Sequence, residues 1–168
     1  LSFPCLHYST HGSLWEWAPP DHHFRQPYWQ NMDYLLKCTE RLSYVLSQGY
    51  HRCDIALIYP VAPVEAILKG KESVATAFSI ARDLYPAGLD FDFMDFESLA
   101  RAKIKGSELQ ISGESYKVLI LPAMTTIRHQ TLKKALDFYQ AGGIVIALGA
   151  LPGASERIGR GDPEIQMA

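Results

Sequence analysis

Apolar side chains recur at three- and four-residue steps through Met32, Leu35, Leu36, Leu42, Val45 and Leu46, the stripe of an amphipathic helix. Asn31 stands where an N-cap belongs, Asp33 falls near the positive helix end, and Gly49 supplies a left-handed stop. Beyond Gly49 the pattern changes. "CDIALIYP" is an almost unbroken apolar run, as expected of a strand covered on both faces in a parallel sheet. "ESVATAFSIARDLYPAG" returns to helical spacing, with Val74, Ala77, Phe78, Ala81, Leu84 and Tyr85 on one side and Pro86 and Gly88 as the stop. "LDFDFMDF" alternates phenylalanines with aspartates and predicts a second strand, followed by a short helix or turn at "ESLARA". The charged, glycine-spaced "KIKGSELQISGESY" reads as a small hairpin or excursion. "YKVLILPAM" is again a buried strand. "TLKKALDFYQAGG" is a helix with Leu132, Ala135, Leu136 and Tyr139 inward, and "GIVIALG" is the strand after it.

Strands that alternate with helices need crossover connections, and such crossovers are right-handed. The economical solution is an α/β fold, a three-layer α/β/α sandwich with a mostly parallel sheet, over residues 50 to about 151. A flavodoxin-like strand order, 2-1-3-4, puts the carboxyl ends of the strands near Pro60, Asp95, Pro122 and Gly149 along one rim. A ligand crevice belongs there.

Composition narrows the partners. The 168 residues allow one domain, or one domain with part of another, and 48% hydrophobic with 20% charged residues describes a chain that folds. Its net charge of -2 is spread without a basic stripe, which argues against nucleic acid. No apolar stretch reaches the ~20 residues that span a bilayer, so a soluble protein is expected. "LSFPCL" has neither a methionine nor a basic lead-in, and reads as an internal stretch of a longer chain. The compartment is then cytoplasmic, or periplasmic or secreted if a signal lies upstream. Cys5, Cys38 and Cys53 have no zinc or redox spacing and are expected to be buried thiols.

Candidate chemistry is sparse. The turn after the first strand, "YPVAPVEAILKGKES", has no glycine-rich phosphate motif, so no nucleotide, flavin or other cofactor is expected. Asp92, Asp95 and Glu97 suggest an acid/base cluster, but alternation is taken to send Asp90, Asp92 and Asp95 to different faces. Solvated or helix-capping roles are then favoured. "HYSTHGSLWEWAPPDHHFRQPYW", from His7 to Trp29, concentrates tryptophans and histidines between prolines. His7 and His11 have the spacing of a helical zinc pair, yet Gly12 argues against a helix, and His22 and His23 point apart if extended. No metal site is expected.

"YKVLILPAMTTI", a helix and "AGGIVIALG" together resemble the class I glutamine amidotransferase-like fold, whose corresponding stretches carry an oxyanion loop and a nucleophilic cysteine. Here the turn reads Ala147, Leu148, Gly149, so the resemblance extends to the fold and not to the chemistry. Taken in order, the His7–Trp29 stretch, "ERLSYVLSQGYHRCDIALIYPV", "GLDFDFMDFESLARA", "GESYKVLILPAMTTI", "AGGIVIALGALPGASE" and "GRGDPEI" resemble the α-L-rhamnosidase type of glycoside hydrolase, family 106. That resemblance implies a catalytic (β/α)8 barrel followed by a degenerate amidotransferase-like domain, comparable to the domain after the barrel in some β-galactosidases. Residues 1–49 would be the end of the barrel, its last loop and helix, and residues 50–168 the amidotransferase-like domain. The His7–Trp29 stretch would be a βα loop on the active-site side. Trp15, Trp17 and Trp29 would stack on sugar faces while His11, Glu16 and Asp21 bind hydroxyls. The catalytic carboxylates are placed in the barrel by this resemblance, and no position here matches one.

The expected function is therefore part of a glycoside hydrolase acting on plant or microbial polysaccharide, this region being a non-catalytic accessory domain with one substrate loop. Its partners would be carbohydrate, the upstream barrel and, with the oligomeric state open, a second copy. The alternative is a free-standing flavodoxin-like module for small-molecule binding or oligomerisation.

Overall fold

A computed structural model describes residues 26–49, 51–66 and 70–166. The chain divides into two compact units, residues 1–50 and 51–168. In the first, a 3-10 turn at Trp29–Asn31 leads into helix α1, Met32–Leu46. Asn31 occupies the N-cap position, but its side chain makes no capping bond, contrary to expectation. Asp33 lies in the first turn and accepts from Lys37 Nζ at 3.0 Å. Gly49 has φ 81°, the left-handed geometry expected of a stop. The predicted stripe is there, yet only Met32 is buried and Leu42, Val45 and Leu46 are exposed. Cys38 is exposed with the rest of the helix, which corrects the expectation of a buried thiol. Cys53, in the second unit, is buried as expected, and Cys5 lies outside the described residues.

The second unit begins with β1 (Ile55–Ile58), α2 (Val61–Glu65), α3 (Gly70–Leu84), β2 (Phe91–Met94) and α4 (Phe96–Arg101). Then come β3 (Lys103–Lys105), β4 (Glu108–Ile111), β5 (Glu114–Tyr116), β6 (Val118–Pro122), α5 (His129–Gln140) and β7 (Ile144–Leu148). A hairpin of β8 (Ala154–Ser155) and β9 (Gly159–Arg160) precedes α6 (Pro163–Gln166). The result is a mixed α/β unit whose main sheet has four parallel strands in the order β2-β1-β6-β7. Numbered as the four predicted strands, this is 2-1-3-4.

Central strands explain the apolar runs. Ala56, Leu57 and Ile58 are all buried although alternate residues face opposite sides of a sheet, so both faces of β1 are covered. The largest core cluster joins Ala56, Ile58, Met94, Leu119 and Leu121 to Leu99 of α4 and to Ala135 and Phe138 of α5. The excursion is an antiparallel sheet, β3-β4-β5, and it supplies Leu109 and Tyr116 to the same core.

Three details differ from expectation. Helix α5 starts at His129 and buries Thr131, Ala135 and Phe138, whereas Tyr139 is exposed: the inward face is rotated by one residue. Helix α3 buries Ser73 and Ala77, while Phe78 stays about half exposed and leans on the Phe93 ring, and Tyr85 is solvent-facing beyond the helix end. Finally, β7 is apolar throughout but among the described residues pairs only with β6, and Ile144, Ile146 and Leu148 are exposed.

Candidate functional site

Five of the six residues singled out for sugar contact, His11, Trp15, Glu16, Trp17 and Asp21, lie outside the described residues, as do His7, His22 and His23. The sixth, Trp29, opens the 3-10 turn, is 37% exposed as a residue, and donates its backbone N–H to Gln26 O at 3.0 Å.

The acidic residues of the second strand separate into two groups. Asp95 is the N-cap of α4: Oδ1 accepts from the Ser98 N–H at 2.8 Å and Oδ2 from the Ser98 hydroxyl at 2.7 Å. The Ser98 backbone donor holds its carboxyl below the usual range, so the capping role is the one the structure shows. Glu97 points outward, 3.9 Å from Arg101. Asp90 and Asp92, by contrast, are not parted. Residues two apart in a strand share a face, and both reach His51 at the amino ends of β1 and β2: Nε2 is 3.0 Å from Asp90 and Nδ1 is 3.4 Å from Asp92. Glu114 stands 3.9 Å from Nδ1, and the Tyr116 hydroxyl donates to Asp92 at 2.9 Å. The hydrogen bond that His51 donates to Asp90 raises the imidazole, and burial, then Asp92, pushes the Tyr116 phenol up. This knot fastens β5 to the start of the parallel sheet, opposite the rim where a ligand belongs. Among the described residues no group of three or more His, Cys, Asp or Glu side chains is placed to hold a metal ion.

At the carboxyl rim, the turn after β7 is sealed. Gly149 has φ 75°, and a Cβ there would sit 2.9 Å from Ala123 Cβ. Ala123 itself has φ 30°, and its carbonyl accepts from the fully buried Ser73 hydroxyl at 2.7 Å. Ala147 and Leu148 close β7 and Gly149 opens the turn, so none of the three offers a nucleophile and there is no room for one at Gly149.

Beside the seal the rim opens. A crevice of about 350 Å³ lies between α2, the segment after β6 and the β8–β9 hairpin. Arg128 crosses it, paired to Glu65 at 3.2 Å and lying 3.7 Å above the centre of the Phe96 ring. Thr126, also in its wall, keeps its hydroxyl oxygen buried and, among the described residues, without a hydrogen-bond partner. Reading the sequence missed these residues. Their only signal is charge in the segments that follow apolar strands.

A second charged group fixes the hairpin. Glu164 Oε2 lies 2.6 Å from both Arg157 Nη1 and His129 Nε2, and Glu156 accepts the His129 N–H at 2.9 Å. Buried Asp162 accepts from the Ser155 hydroxyl and from the Glu164 N–H. Arg157, then His129, lowers the Glu164 carboxyl to about 2. Its ordinary value is 4.5, so its contribution to stability is full above pH 4.5 and is lost as the pH falls through about 2. His51 acts with the opposite sign: its folded value is raised above 6.5, so its contribution is full below pH 6.5 and is lost as the pH rises through the raised value. Thermal unfolding followed against pH should show both limbs. Glu164→Gln should make the acid limb shallower, Asp95, Asp90 and Asp162 keeping the remainder, and leave the alkaline one; an unchanged acid limb would refute the assignment.

Comparison with known proteins gives the class and then the family. The chain falls among the glycoside hydrolases. It belongs to the α-L-rhamnosidase family, glycoside hydrolase family 106, whose model matches residues 16–166. Among solved structures it is similar to the β-galactosidase from Bifidobacterium adolescentis, with 21% identity and a TM-score of 0.47, over 70% of this chain and 53% of that one. The chain thus spans about half the length of that enzyme. No curated protein matches it.

Proposed function

We propose that residues 1–49 are the closing loop and helix of a catalytic (β/α)8 barrel and that residues 50–168 are a non-catalytic, amidotransferase-like accessory domain of an α-L-rhamnosidase-type glycoside hydrolase. The observation that carries this reading is the family match across 16–166, which runs through both parts. Three features support the accessory role. The strand order is that of a doubly wound sheet. Phe93, in register with Leu57, meets Phe78 of α3, whereas the alternate residues Ala56 and Met94 pack with α4 and α5, and helices against both faces support the reading of a three-layer sandwich. The turn at 147–149 lacks any group to attack an acyl or glycosyl centre.

Glycoside hydrolysis needs two carboxyl groups, about 5 to 10 Å apart, on either side of the scissile bond. Asp90 and Asp92 do converge, but on an imidazole at the amino ends of the strands and not across an open cleft. In this reading the carboxylates come from the barrel. His11, Trp15, Glu16, Trp17, Asp21 and Trp29 contribute one wall for a plant or microbial polysaccharide, the tryptophans offering ring faces and the polar groups meeting hydroxyls.

The chain alone is expected to release no aglycone from aryl α-L-rhamnosides or aryl β-galactosides. Turnover above a buffer blank that disappears on Glu16→Gln or Asp21→Asn would overturn the accessory reading.

A further inference from the structure

We propose that the rim crevice of the second unit is a binding site for a monosaccharide-sized sugar acid, with the carboxylate held by Arg160 and the ring laid against a small apolar wall. This is independent of the accessory role proposed above. Four observations converge on it.

The first is position. The crevice lies between the segments following β1 and β6, and that is where the chain reverses its direction of growth across the sheet, having placed β2 on one side of β1 and β6 on the other. At such a switch point the two loops diverge and leave a gap at the carboxyl ends of the strands. The second is size. About 350 Å³ is at the small end of ligand sites, enough for one pyranose ring and its substituents.

The third is the lining. Ala62 and Ala66, with a small part of Ala154, present small apolar groups over the buried Ile127, the surface on which the C–H face of a sugar ring can rest without a polar group losing its hydration. The fourth is charge. Glu65 and Arg128 satisfy one another, and Glu156 is engaged by the His129 N–H. Arg160 has no ion-pair partner among the described residues. A planar guanidinium left over in a crevice matches a carboxylate, which it can grip with two parallel hydrogen bonds. The two carboxylates in the same wall disfavour a dianion such as phosphate, whereas they accept well from hydroxyls. One negative charge, several hydroxyls and an apolar ring face together describe a sugar acid.

The test is a titration of the isotopically labelled chain, residues 1–168, followed by amide chemical shifts. D-glucuronate is the probe, with D-glucose, acetate and inorganic phosphate run separately. Saturable shifts of the Ile127, Ser155 and Arg160 amides with glucuronate are expected, with glucose weaker by about tenfold or more for want of the charge. Arg160→Met should weaken glucuronate by a similar factor without moving thermal unfolding, because Arg160 is exposed and supports no other group. Ala62→Leu should abolish binding by filling the crevice. The proposal is overturned if no saturable shift maps to these amides or if acetate matches glucuronate, which would mean an adventitious ion only. It is equally overturned if phosphate binds more tightly or if Arg160→Met binds glucuronate as the parent does.

Discussion

Gly143→Ala is expected to destabilise the second unit by about 3 kcal/mol, the upper end of the usual cost of overpacking. The added Cβ would meet the Phe138 ring at 2.1 Å, a separation no pair of non-bonded carbon atoms sustains. Neither side can yield easily. Gly143 is tied to the helix end through its N–H to Phe138 O at 3.0 Å and leads directly into β7. Phe138 is fully buried in the main core cluster, among side chains packed at close to crystalline density. Denaturant unfolding should show a lower midpoint with an unchanged slope. The cause is separable from any backbone effect by a cycle. Phe138→Ala alone should cost about 3 to 5 kcal/mol, and in that background Gly143→Ala should be nearly neutral. Additive effects would refute steric conflict with the ring as the source.

This contact also marks the limit of sequence reading in α5. Apolar spacing locates the helix, but Phe138 and Tyr139 are neighbours 100° apart on the helical wheel, and either can be fitted to a stripe through Leu132 and Ala135. The structure selects Phe138 because Gly143 leaves a space only a ring fills, information that lies in the turn and not in the helix. The two central strands, β1 and β6, were legible for a simpler reason: "IALI" and "VLILP" are apolar on both faces, as strands covered on both faces of a parallel sheet are. The same rule misleads at β7, where "IVIAL" carries the pattern of a covered strand but is largely exposed and has, among the described residues, a neighbour on one side only. Helix α1 is similar, since its stripe is real while its sequence does not say what lies against it.

Charged contacts were the least legible. His51 meets Asp90 across 39 positions, and His129 meets Glu164 across 35. No local periodicity encodes such pairs. They follow from strand order and from where each connection returns, so they become visible only once the sheet is assembled. The error over Asp90 and Asp92 was of another kind, because period-two alternation already places them on one face. The capping role of Asp95 was readable, since a Ser three residues on at the start of a helix is a local signal. The crevice residues Glu65, Arg128 and Arg160 come from three separate segments and share no motif, which is why the rim could be located from the strand ends while its lining could not.

The turn at Gly149 gives the second large effect. Gly149→Ala should cost about 1 to 2 kcal/mol for holding an L-residue at φ 75°, and crowding against Ala123 at 2.9 Å should add about 1 to 3 kcal/mol. Because the clash is with a methyl group whose own backbone is in the left-handed region, it has a specific remedy. Ala123→Gly removes the opposing Cβ and lets position 123 hold φ 30° without strain, so the double variant should recover the crowding cost but not the φ cost of Gly149→Ala. Ser73→Ala provides the control: it strips the donor from the buried Ala123 carbonyl, should cost about 1 to 3 kcal/mol, and should not be rescued by Ala123→Gly, since the carbonyl remains. If Ala123→Gly fails to improve Gly149→Ala in thermal unfolding, the closed contact between the turns after β6 and β7 is not what fixes glycine here. If it succeeds, the rim is shut at this point by the packing of two turns, and a ligand at the rim is left to the neighbouring openings, among them the gap between the segments after β1 and β6.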